Sequence, residues 1–218
     1  MRKIFTPLAV VTAAMFAYSP VVIMGAPYES TMGLVQKIFY YHAPSWMVMF
    51  LAVFMCGIAS LIYVFRSDRR ADRVAVAAAE LAAVFGLIGL VTGPLWARKA
   101  WGVWWQWDAR LTTALLLWMI VLGYLLVRRY GGPGSDKLSA VIGVFGMANV
   151  PFVYVSVNIW RTVHPTTNVV PTLKAGMRGP FWFCVLAFLM LYSLMFAARV
   201  RLEHERARLD ELYLAEEE

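Results

Sequence analysis

Six apolar stretches, each long enough to cross a bilayer, leave little of the chain for anything else: 5–27, 45–65, 74–96, 111–128, 138–157 and 180–199. About 20 apolar residues in a helix span the hydrocarbon core. In lipid a backbone must satisfy its own polar groups, which a helix does within itself. The expected fold is therefore an all-α membrane protein of six transmembrane helices. A hydrophobic content of 61% and a mean hydropathy of +0.64 exceed the roughly 45–50% apolar usage of soluble domains. The connecting segments are too short for a separate soluble domain, so residues 1–218 are expected to form one membrane-embedded unit. The first run, Ile4 to Pro27, is longer than the roughly 7–15 residue core of a secretory signal and lacks a small-x-small cleavage pattern. It reads as a retained helix.

Basic residues set the expected orientation. Thirteen (Arg2, Lys3, Arg66, Arg69, Arg70, Arg73, Arg128, Arg129, Lys137, Arg199, Arg201, Arg206 and Arg208) belong to one set of segments, and seven to the other. The positive-inside rule makes the first set cytoplasmic, with both termini. Topology then explains the cytoplasmic share of the net charge of +7, and no groove-binding pattern points to nucleic acid. The tail Arg199–Glu218 places opposite charges at helical spacing, as in Glu205 and Arg208, and reads as a solvated helix end. Cys56 and Cys184 fall inside apolar spans without a Cys-x-x-Cys, so core packing is expected of both. Gly131-Gly132-Pro133-Gly134 reads as a tight turn between spans four and five.

The outward segments, 28–44, 97–110 and 158–179, contain His42, His164 and the densest tryptophan cluster. Five of the nine tryptophans lie between Trp96 and Arg110. An interfacial aromatic belt explains one or two of them, but not their spacing. If the segment is helical, Trp101, Trp104, Trp105 and Asp108 share one face, with Trp107 at its edge. Such a face is an aromatic platform suited to a large planar π-system.

Histidines add what a plain platform lacks. His42 sits in Tyr40-Tyr41-His42-Ala43-Pro44 before span two, and His164 in Trp160-Arg161-Thr162-Val163-His164-Pro165 after span five, each expected in a loop stiffened by its proline. Neutral imidazole is a haem-iron ligand, and two can close both axial positions. Haem propionates need cations, and Arg98, Lys99, Arg110, Arg161, Lys174 and Arg178 are all outward. Of these, arginine is the better carboxylate fork.

The segment Trp101-Gly102-Val103-Trp104-Trp105-Gln106-Trp107-Asp108-Ala109-Arg110-Leu111-Thr112 resembles the tryptophan-rich WWD signature of a haem-handling superfamily. Six spans, short length and one outward histidine on each side of the motif are similar to the haem exporter protein C family of bacterial cytochrome c maturation. The resemblance implies haem b held between His42 and His164 as axial ligands. Trp101, Trp104, Trp105, Trp107 and Asp108 would lie along the haem edge, and Arg98, Arg110 and Arg161 are the propionate candidates. It further implies a haem-delivery subunit without catalytic turnover, in the bacterial inner membrane with its site on the periplasmic side. The implied partners are haem, a membrane-anchored periplasmic haem chaperone, the ATPase and membrane subunits of an ABC transporter complex, and a small membrane subunit.

Two other functions compete. A b-type cytochrome moving electrons usually sets its histidines within helices, which loop positions for His42 and His164 disfavour. A haem permease is a separate alternative that the sequence leaves open, whereas a solute permease predicts charged or polar groups near mid-bilayer. The spans offer little of that beyond Glu80 and Asn149, with Pro151 a helix kink. No Gly-x-x-x-x-Gly-Lys-Ser/Thr loop is present, so nucleotide dependence would come from partners. Asp108 has two candidate roles, orienting Arg110 or contacting the chaperone.

Overall fold

A computed structural model describes residues 2–216. Met1, Glu217 and Glu218, which belong to the expected unit 1–218, lie outside the described residues. So do the side chains of Arg2 and Lys3, which entered the charge balance. Seven helical elements follow in order: α1 (Arg2–Gly25), a 3-10 helix (Leu34–Ile38), α2 (Phe39–Arg66), α3 (Arg69–Trp101), α4 (Ala109–Tyr130), α5 (Ser135–Ile159) and α6 (Ala175–Glu216). All six α-helices are long and apolar enough to cross a membrane. The expected all-α, six-helix membrane architecture is what the chain adopts.

Several helices run past their apolar stretches. At about 1.5 Å per residue, the 33 residues of α3 reach roughly 50 Å, well beyond the ~30 Å hydrocarbon core. Hydropathy reports where the bilayer is, whereas a helix ends where its caps are. Accordingly α2 starts at Phe39, not near residue 45, and α3 continues to Trp101, not to residue 96.

The central pair is α2 and α3, with α5 and α6 against α2 and α1 against α6. The face of α3 that meets α2 is built from Ala75, Ala78, Ala79 and Ala82, all buried, before Phe85. In lipid, where helices gain no hydrophobic drive to associate, small residues let backbones approach and maximise dispersion contact. Val48, Met49, Ala52 and Val53 of α2 fill the facing groove. Cys56 is free and buried in this interior, and Cys184 is free and buried in a second cluster with Phe39, Tyr40, Trp96 and Phe181.

Ion pairs tie the helices at the end remote from the tryptophans. Arg128 of α4 grips Asp72 of α3 through both guanidinium nitrogens, and Arg69 pairs with Asp136 of α5 at 2.7 Å. The glycine turn between α4 and α5 is present, with Gly132 and Gly134 at φ of 71° and 82°, a region that costs a glycine nothing. Glu80 of α3 meets Arg199 of α6, which also pairs with Glu203 at 2.8 Å. The tail is helical to Glu216, and its i,i+4 pair runs through Glu203.

Candidate functional site

The site forms at the end of the bundle where α3 stops and α4 starts. His42 is the fourth residue of α2, a correction to its expected place in a loop. Pro44 is likewise inside the helix, where it lacks an N–H for the carbonyl of Tyr40. Ser45 donates its hydroxyl to the His42 carbonyl at 2.7 Å. The His42 ring is buried between the indoles of Trp96, at 5.7 Å and 78°, and Trp46, at 6.5 Å and 69°. Its Nδ1 lies 2.9 Å from the hydroxyl of Thr92 on α3. Two glycines make room for this arrangement. A Cβ on Gly89 would collide with the Trp46 indole, and one on Gly93 would stand 3.3 Å from Cε1 of His42.

His164 does lie in a loop, between α5 and α6. Its Nδ1 is 2.8 Å from the carbonyl oxygen of Pro165. A carbonyl only accepts, so Nδ1 carries the proton and Nε2 keeps its lone pair. Burial, followed by the positive charge of Arg110, pushes the His164 pKa down to about 4. The neutral imidazole that metal ligation requires is thus the resting form.

The tryptophan segment is not the continuous helical face expected. Gly102 at φ 79° ends α3, and residues 102–108 are irregular until Asp108 caps α4 by accepting from the Leu111 N–H at 2.8 Å. The breakdown has a simple cause: a left-handed glycine and an N-cap aspartate impose a stop and a start within seven residues. Trp101 remains on α3 and stacks on Trp96 at 6.3 Å and 25°. Trp105 and Trp107 are splayed rather than coplanar, at 75°. The other Asp108 oxygen accepts from the Thr162 hydroxyl and from the Val163 N–H at 3.1 Å. Asp108 therefore joins the tryptophan segment to the His164 loop, a role different from either expected for it.

Despite the lost helical register, the expected groups converge. A cavity of about 40 Å³ is lined by His42, Trp101, Trp104, Trp105, Arg110 and His164. A second, of about 360 Å³, is lined by His42, Trp46, Arg110, Tyr154, His164 and Pro165. Both histidines and Arg110 thus face both spaces. The larger lies within the roughly 300–1,000 Å³ typical of ligand sites. Arg110 anchors one guanidinium nitrogen on the Val153 carbonyl at 2.5 Å. The Trp105 indole N–H is buried with no hydrogen-bond partner among the described residues, and Trp105 lines the smaller cavity.

Other expected residues lie farther out. Trp107 is 77% exposed and lines neither cavity. Arg161 lines an adjoining open groove with Asp108 and His164, and Arg98 turns to the Gly102 carbonyl at the α3 terminus. Sequence reasoning passed over Thr92, Gly93, Trp46 and Thr162. Only contacts between distant segments mark them, although Trp46, one turn after His42, shares its helix face.

The donor set fits a haem: two imidazoles for iron, indoles for the macrocycle, and a guanidinium and an indole N–H for propionate oxygens. Among the described residues no cluster of three or more His, Cys, Asp or Glu offers a protein-only metal site. With His42 helical, the contrast with helix-borne cytochrome ligands applies to His164 alone.

The chain is similar to known proteins over most of its length. A family model described as Heme exporter protein C matches residues 1–214. A Heme exporter protein C of Bradyrhizobium diazoefficiens is 34% identical over 196 residues, 87% of this chain and 74% of the relative. One from Escherichia coli K12 is 30% identical over 203 residues, covering 87% and 80%. A ccmC-like mitochondrial protein of cytochrome c biosynthesis from Marchantia polymorpha is 29% identical over 180 residues, covering 81% and 77%.

Proposed function

The chain belongs to the haem exporter protein C family, and from that membership we propose that it binds haem and presents it within the haem-delivery system of cytochrome c maturation. The observation that carries the reading is convergence: His42 from α2, His164 from the α5–α6 loop and Arg110 line the same two spaces. Haem is cargo here. His42 and His164 ligate its iron through Nε2, as in a haem b. Trp101, Trp104 and Trp105 contact the ring, and Arg110 holds a propionate, with Arg98 and Arg161 as outer cations.

The exposed Trp107 and the groove beside Arg161 and His164 supply a surface from which a membrane-anchored haem chaperone takes the cargo. The excess of basic residues on the other side of the spans favours a periplasmic site in the inner membrane. Without a nucleotide-binding loop, the chain acts as a delivery subunit of one embedded unit. The ABC-type ATPase and membrane subunits, with a small membrane subunit, are its partners.

Haem titration of the detergent-purified chain tests this reading. It predicts saturable binding of one haem per chain, weakened in both His42→Ala and His164→Ala. Binding that never saturates, or that both variants retain in full, would overturn it.

A further inference from the structure

We infer that Thr92 is a positioning residue for His42, fixing its tautomer and tuning it as an iron ligand. The inference rests on the reading of His42 as a ligand. Its ground is a short relay between α3 and α2. The Thr92 hydroxyl lies 2.7 Å from the Ile88 carbonyl and 3.3 Å from that of Gly89, and 2.9 Å from Nδ1 of His42. A threonine has one hydroxyl proton, and a carbonyl can only accept. Were that proton given to His42, the hydroxyl oxygen would face the Ile88 carbonyl oxygen at 2.7 Å with nothing between them. The proton therefore goes to Ile88, and the Thr92 oxygen accepts from Nδ1–H.

That assignment leaves Nε2 of His42 with its lone pair and with no hydrogen-bond partner among the described residues. His164 reaches the same state by a different route, through its own chain's Pro165 carbonyl. The His164 support is local and needs no second element, whereas that of His42 comes from α3, through the Thr92 hydroxyl 50 residues away. Gly93, next to Thr92, leaves the imidazole just enough room to keep that contact. An acceptor on Nδ1–H draws the ring toward imidazolate and raises the basicity of Nε2, and such outer partners typically change metal affinity 10–100-fold.

Thr92→Val keeps the shape and removes the acceptor; Thr92→Ser keeps the acceptor. Both are compared with the native chain and with His42→Ala, as full-length protein purified from haem-replete membranes. Expected for Thr92→Val are about tenfold weaker haem retention and a midpoint potential shifted upward, because a less basic ligand favours ferrous iron. Thr92→Ser should restore both. Native retention and potential in Thr92→Val would overturn the inference, even while His42→Ala still perturbs the haem. A spectrum unchanged in His42→Ala would overturn the ligand reading and the inference together. Should Thr92→Val fail to reach the membrane, Thr92→Ala removes the same acceptor and is judged by the same two readouts.

Discussion

The carboxylate of Asp108 accepts a hydrogen bond from the hydroxyl of Thr162, 54 residues further along the chain. Through it the last residue of the tryptophan segment reaches the loop that carries His164. The His164 N–H in turn donates to the same Thr162 oxygen at 3.0 Å. A residue that caps a helix with one oxygen and holds a ligand loop with the other does two separable jobs. Asp108→Ala should cost about 1 kcal/mol for the lost cap and should raise hydrogen exchange across 160–174. Thr162→Val should reproduce part of the loop effect without the cap effect, because the Val163 N–H still donates to Asp108. In the double variant the loop effects should add only in part, since the Asp108–Thr162 bond is common to both substitutions while the Val163 N–H bond is lost only with Asp108.

Gly93 sets how close α3 comes to His42. A Cβ there would sit 3.3 Å from Cε1, tighter than ordinary contact. Gly93→Ala should lower haem retention modestly. Gly93→Val should abolish it while the helical content by circular dichroism stays native.

At the far end, Asp72 is almost fully buried and bound by both nitrogens of Arg128. Removing one partner leaves the other charge poorly compensated, which for buried pairs costs about 3–5 kcal/mol. Asp72→Ala should therefore destabilise the chain by roughly 3 kcal/mol in thermal unfolding. Because the pair lies at the opposite end of α3 from Trp101, the haem spectrum of the folded fraction should not change.

The seating of His164 should depend on pH in one direction. Its pKa in the fold, about 4, is below the ordinary 6.5, so the fold prefers the neutral ring. Between those values a released loop takes up a proton that the seated loop refuses, and stability is lost as pH falls. Proteolysis within 160–174 should be constant above about pH 6.5 and rise toward pH 4. His164→Asn should flatten this profile.

The six helices were legible because the bilayer imposes a length and a polarity on each span. Their ends were less so. Hydropathy stops at residue 96, yet α3 winds one turn further, and the stop signal was Gly102, with Asp108 as the next start. Treating 101–108 as one helix passed over both. The candidate residues still come together, because residue chemistry survives an error of backbone: His42, His164, Trp101, Trp104, Trp105 and Arg110 line one cavity. Thr92 was invisible because a threonine inside an apolar span looks like any lipid-compatible residue until α2 is laid against α3.

If His42 and His164 share one iron, the coordination state of the bound haem reveals it. Visible absorption and electron paramagnetic resonance of the loaded native protein should show a six-coordinate, low-spin iron. Each of His42→Ala and His164→Ala should convert it to a five-coordinate, high-spin form. A five-coordinate native iron, or a low-spin signal that survives either substitution unchanged, would mean that the two histidines do not share one iron.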